Sequence, residues 1–140
     1  SLLGIDTERA RLALLALTRP GARELLASPR AAIAPKDRSR FLVLQDAQWM
    51  LARRAFYTRD YASALEQLEH IDPAPDDRAR YALLRAGCLR ALNRTEQSAD
   101  AFREAAAHSS DTAFRAHSRA LAELAANAFD ANSGPLSETP

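Results

Sequence analysis

The chain has 140 residues, 47% hydrophobic and 26% charged, a balance that fits one folded domain with a real core and excludes a disordered, collagenous or low-complexity chain. Nineteen basic residues against 18 acidic ones leave a net charge of +1, so no global field gathers polyanions or draws the chain to a membrane surface, and nucleic acid is not an expected partner. Ala and Leu carry the apolar fraction, whereas Val43 is the one valine and Ile5, Ile33 and Ile71 the only isoleucines. Strands need β-branched and aromatic residues, so the composition predicts an all-α fold.

Proline sets the punctuation. Ile5-Asp6-Thr7 predicts the start of a first helix with Leu12, Leu15 and Ala16 as its apolar face. Arg19-Pro20 ends that helix, and Pro20 is placed to start the next. Ser28 to Lys36 holds two prolines and reads as an irregular or single-turn connection, so residues 1–36 form a separate set of short N-terminal helices.

Asp37 is expected to cap a long helix from Arg38 to about Thr58, where Phe41, Leu44, Ala47/Gln48, Leu51, Ala52, Ala55 and Phe56 recur at steps of three and four. Asp60 caps a shorter helix to about Asp72 with Tyr61, Ala64, Leu65, Leu68 and Ile71 on one face, stopped by Pro73-Ala74-Pro75. Asp76 or Asp77 opens a helix to about Leu92, Asn93-Arg94-Thr95 makes a tight turn, and Thr95 to His108 forms another helix with Ala99, Phe102 and Ala106 inward. A last helix, capped by Ser110 or Asp111, runs to about Asp130, and residues 131–140 read as a disordered tail.

The two central helix pairs match at a shift of 34 residues. Trp49 falls on Leu83, Ala52 on Ala86, Ala55 on Leu89, Tyr61 on Thr95, Ala64 on Ser98, Leu68 on Phe102 and Ile71 on Ala105. A helix–turn–helix period of that length is the spacing of the tetratricopeptide repeat. With Trp49, Leu51-Ala52, the Arg59-Asp60-Tyr61 turn, Ala64, Leu68, Ile71 and the closing Asp72-Pro73, the segment resembles that family directly, and Ala86-Gly87, Asn93-Arg94, Ser98, Phe102 and Ala105 form a second copy without the closing proline. The resemblance covers residues 37–130 and implies antiparallel hairpins stacked in a short right-handed solenoid, with Ser110 to Asp130 as the capping helix.

By position, the family's groove-facing places fall on Asp46, Trp49, Arg53, Phe56 and Tyr57, on Arg80, Leu83 and Arg90, and on Phe114, His117 and Leu121. Aromatic residues mixed with Arg are the composition of binding hot spots, so the resemblance implies a non-enzymatic adaptor that takes a peptide or helix of a protein partner, with Arg53, Arg80 and Arg90 favouring acidic ligands. Trp49 and Phe56 serve equally well as core between adjacent hairpins, and Arg53 and Arg90 as solvated cations. Members that clamp chaperone C-termini use Lys and Asn at these groove positions, where this chain has Trp49 and Arg53, so that ligand is disfavoured.

A second resemblance runs through residues 65–74 and 78–86, which look like the helical N-terminal domain of bacterial outer-membrane lipoproteins that activate penicillin-binding proteins. It implies a structural or dimerising segment of a periplasmic envelope protein and leaves a homo-oligomer open. The chain starts at Ser1 without a basic, apolar leader, which reads as a trimmed piece, and the compartment stays open between cytoplasm and periplasm. No run is long and apolar enough to insert in a bilayer.

Catalytic and metal chemistry find no support in the residue pattern. Cys88 is the single cysteine, on a small-residue face with Gly87 and Ala91, and is expected to be a buried small hydrophobe. His70, His108 and His117 lack ligand-like spacing to a carboxylate, and the four glycines are too scattered to cradle a phosphate, so neither a metal nor a cofactor is expected.

Overall fold

A computed structural model describes the backbone of residues 2–69 and 71–133, and side chains within 7–69 and 71–127. His70 and residues 134–140 of the expected tail lie outside the described residues. Among the described residues seven α-helices form and no strand occurs, in line with the scarcity of valine and isoleucine. The chain divides into two compact units, Ser1–Ala74 and Pro75–Pro140. The boundary falls inside the segment 37–130 that the repeat groups together, and residues 1–36 share a unit with the first hairpin.

In the first unit, α1 (Leu2–Thr18) and α2 (Ala22–Ala27) precede α3 (Arg38–Tyr57) and α4 (Tyr61–Glu69). The start of α1 lies upstream of the expected Ile5-Asp6-Thr7 cap, and its buried face is also different. Ala10, Ala13 and Leu17 are buried with Ala22, Leu26, Phe41, Leu44, Ala47 and Leu51, whereas Leu12 is 53% and Leu15 51% exposed. Apolar residues fill every position from Leu12 to Leu17, so two faces compete there. The stripe through Leu12 and Leu15 runs into Glu8 and Arg19, while the one through Ala10, Ala13 and Leu17 carries no charge and lets α1 approach α3 closely.

Pro20 does not open α2. Gly21 stands between them at φ 80°, a left-handed conformation that glycine adopts without steric cost, and α2 begins at Ala22. The Arg40 guanidinium donates to the Pro20 carbonyl at 3.0 Å and ties this corner to the start of α3. Residues 28–37 form two 3₁₀ turns, Arg30–Ala32 and Pro35–Asp37, consistent with a single-turn connection.

Asp37 precedes α3 but makes no side-chain cap bond. The Pro35–Asp37 turn leads straight into the helix, leaving Asp37 near-helical at φ −99° and ψ −4°, where its carboxylate does not fold back over the first amides. Asp60 does cap α4, accepting from the Ser63 amide at 3.3 Å.

In the second unit, α5 (Arg78–Ala91), α6 (Thr95–Ala107) and α7 (Thr112–Ser133) follow a 3₁₀ turn at Pro75–Asp77. Asp77 repeats the uncapped near-helical entry of Asp37 at φ −100° and ψ −10°. α6 packs against both α5 and α7 through Ser98, Ala99, Ala101, Phe102, Ala105 and Ala106, all buried. Asp111 caps α7, accepting from the Phe114 amide at 2.8 Å. The helix continues through Ser133, three residues into the segment expected to be a disordered tail.

The turns that close the two hairpins agree residue for residue at the 34-residue shift. Arg59 lies at φ 66° and Asn93 at φ 61°. Around Arg59 the amides of Thr58, Arg59 and Asp60 donate to the carbonyls of Arg54, Phe56 and Ala55, and around Asn93 those of Leu92, Asn93 and Arg94 donate to Cys88, Arg90 and Leu89. This is the Schellman pattern, in which a left-handed residue just past the helix reverses the chain and satisfies the last carbonyls. Near each turn both helices carry fully buried small residues at the same shift, Ala52 and Ala64 in one hairpin and Ala86 and Ser98 in the other.

Candidate functional site

The expected groove residues fall on three helices in two units. On α3, Asp46, Trp49, Arg53, Phe56 and Tyr57 share one face, because steps of three, four and seven return to the same side of a helix. The adjoining side carries Phe41, Leu44, Gln45, Gln48 and Ala52, all buried. Asp46 and Arg53 are exposed, Trp49 and Phe56 half-buried, and Tyr57 72% exposed. Phe56 is the centre of an aromatic cluster, with its ring 5.6 Å from Tyr57 and 5.5 Å from Tyr61, both edge to face.

In the second unit, Arg80 and Arg90 are exposed on α5 and Leu83 half-buried, while α7 carries half-buried Phe114 and Leu121 beside exposed His117. Arg80 is already engaged: its guanidinium pairs with Asp77 at 3.2 Å and lies 5.8 Å from the Tyr81 ring centre. The α3 residues thus form one surface of the first unit, and the α5 and α7 residues belong to the second.

Helical spacing puts Gln48 on the buried face of α3 but not Gln45, nor does it show the polar network in which they take part. Gln45 and Gln48 are buried on the apolar side of α3. The Gln45 amide donates to the Asp72 carbonyl at 2.8 Å and accepts from the Arg30 guanidinium, and the Arg30 amide donates to the Asp72 carboxylate at 3.0 Å. The same guanidinium lies 5.2 Å from the centre of the Phe41 ring. Gln48 donates to the carbonyl of Gln67 at 3.0 Å and to its side-chain oxygen. Their i, i+3 spacing on a face otherwise apolar was the available signal. Gln48 also lines a cleft of about 260 Å³ with Arg23, Leu26, Ala27, Glu66 and Gln67.

Cys88 is fully buried, and burial pushes its thiol up to about 11, which suppresses the thiolate at neutral pH and makes it a packing residue, as expected. His108 and His117 are both exposed. Among the described residues, no three His, Cys, Asp or Glu side chains gather where they could hold a metal ion, and no helix is long and apolar enough to cross a membrane. No family model, no curated protein and no solved structure matches the chain.

Proposed function

We propose that the chain is a tetratricopeptide-like helical-hairpin module that binds a peptide or helix of a partner protein, acting by recognition rather than catalysis. The observation that carries the repeat reading is the recurrence of the Schellman turn at Arg59 and Asn93, 34 residues apart, beside small buried residues at the same shift. Hairpins of that kind stack into a solenoid whose first helices line a concave surface. The α3 face supplies chemistry suited to such a surface: the Trp49, Phe56 and Tyr57 rings offer area at small entropic cost, and the exposed Arg53 cation favours a carboxylate on the ligand.

The test is fluorescence anisotropy with a panel of labelled acidic peptides, helical and extended, against the wild type and the variants Trp49→Ala, Arg53→Glu and Arg90→Glu, each checked for unchanged helicity by circular dichroism. The proposal predicts a peptide that binds the wild type and loses about 2 kcal/mol, some thirty-fold, when Trp49 is truncated. Equal binding by all variants removes the groove assignment.

A further inference from the structure

The side of α1 turned away from the core carries a pattern that the groove reading does not use. Leu12 and Leu15 are each about half exposed there, Glu8 is exposed on the same stripe, and exposed Arg19 follows directly after the helix ends at Thr18, at steps of four, three and four. Glu8, Leu12 and Leu15 take successive d, a and d places of a heptad, the seam of a two-helix coiled coil, and Arg19, one residue past the helix, falls where the next a place would come. The stripe is also symmetric in a particular sense. Reversed end for end about a point between Ala13 and Leu14, Leu12 exchanges with Leu15 and Glu8 exchanges with Arg19.

We infer that α1 is a self-association surface, pairing antiparallel with α1 of a second copy of this chain across a two-fold axis between Ala13 and Leu14. Leu12 packs on the partner's Leu15 and Leu15 on the partner's Leu12, giving two apolar layers at the centre. Glu8 faces the partner's Arg19 at one end and Arg19 faces the partner's Glu8 at the other. A two-fold contact must be self-complementary, and opposite charges at equal distances from the axis satisfy that condition. Parallel pairing sets Glu8 against Glu8 and Arg19 against Arg19, so charge selects the antiparallel arrangement.

The flanks agree. Arg9 comes opposite the partner's Ala16 and Arg11 opposite the partner's Thr18, so no two cations meet. Glu8 already pairs with Arg11 on its own helix in an exposed contact, and a carboxylate has capacity for a second cation. Four leucines bury less than the roughly 1,200 Å² of a stable interface, so the dimer belongs to the weak, concentration-dependent class.

Sedimentation velocity on the full 140-residue chain, from tens of micromolar to a millimolar, tests this. The wild type is expected to rise from monomer mass toward dimer mass, and Leu12→Glu/Leu15→Glu to stay monomeric at every concentration with unchanged helicity. Glu8→Arg and Arg19→Glu alone are each expected to weaken association about three- to ten-fold, and the double reversal Glu8→Arg/Arg19→Glu to recover it. That recovery cannot come from the Glu8–Arg11 pair, which the double variant does not restore. A wild type that stays monomeric throughout, a leucine variant that dimerises like the wild type, single reversals without effect, or a double reversal weaker than the singles overturns the inference.

Discussion

The two hairpins share a turn and differ in what fills them. α5 and α6, 14 and 13 residues long, are matched in length and pack on one another, with the Ser98 hydroxyl donating to the Ala86 carbonyl at 3.0 Å. α3 has 20 residues and α4 only nine, about 30 Å of helix against about 14 Å, so the first half of α3 outruns its partner. That half packs instead on α1 and α2 through Phe41, Leu44 and Ala47, while Gln45 and Gln48 bind the chain that follows and precedes it. A repeat fixes the turn and the small buried residues beside it; helix length decides what else must be recruited.

The largest effects are expected at two buried phenylalanines, one in each unit. Phe41→Ala removes the ring shared by α1, α3 and the Arg30 guanidinium, and Phe102→Ala the one large side chain among the buried alanines of α6. Each is expected to cost about 3–5 kcal/mol in urea unfolding, the first followed by the fluorescence of Trp49, the only tryptophan, and the second by circular dichroism. The two glutamines of the polar clamp fall on Ala79 and Ala82 at the 34-residue shift, so those side chains do not recur in the second hairpin. Gln45→Ala leaves the Asp72 carbonyl and the Arg30 guanidinium without their shared partner and is expected to cost about 2–3 kcal/mol by the same fluorescence measurement.

The second hairpin has its own signature in Cys88. The folded thiol holds its proton up to about 11, while an unfolded thiol releases it near 9. Between those values the unfolded chain binds fewer protons, so stability falls as pH rises, by about 1.4 kcal/mol per pH unit, and is unaffected below that window. Unfolding free energies of the wild type and Cys88→Ala, compared from pH 8 to pH 11, show the difference. The smallest effect sharpens the likeness rather than the contrast. Arg59→Gly relieves a left-handed arginine and is expected to stabilise by about 0.5–1 kcal/mol, and Asn93→Gly by less, because Asn tolerates that conformation better. Thermal unfolding of both variants gives the order.

Most helix ends were legible because turn residues mark them. The expected Arg38–Thr58, Thr95–His108 and Asp76/Asp77–Leu92 spans differ from α3, α6 and α5 by one or two residues at an end. The face of α1 was not legible, because Leu and Ala occupy all positions from 12 to 17 and only the charges at Glu8 and Arg19 separate the two stripes. Gln45 was missed because a glutamine on an apolar stripe reads as an interruption, when its partners, Arg30 and Asp72, lie 15 and 27 residues away. Of the candidate site, the shared face of Asp46, Trp49, Arg53, Phe56 and Tyr57 follows from helical spacing, whereas the engagement of Arg80 by Asp77 and Tyr81 depends on side-chain geometry that periodicity does not encode.

One turn is used twice in this chain. Residue-resolved amide hydrogen exchange by NMR tests it at the amides of Asp60 and Arg94, whose bonds to Ala55 and Leu89 define the two turns at 2.8 and 2.9 Å. Both are expected to be protected, together with those of Thr58 and Leu92. Protection at one turn with exchange at the unstructured rate at the other contradicts it.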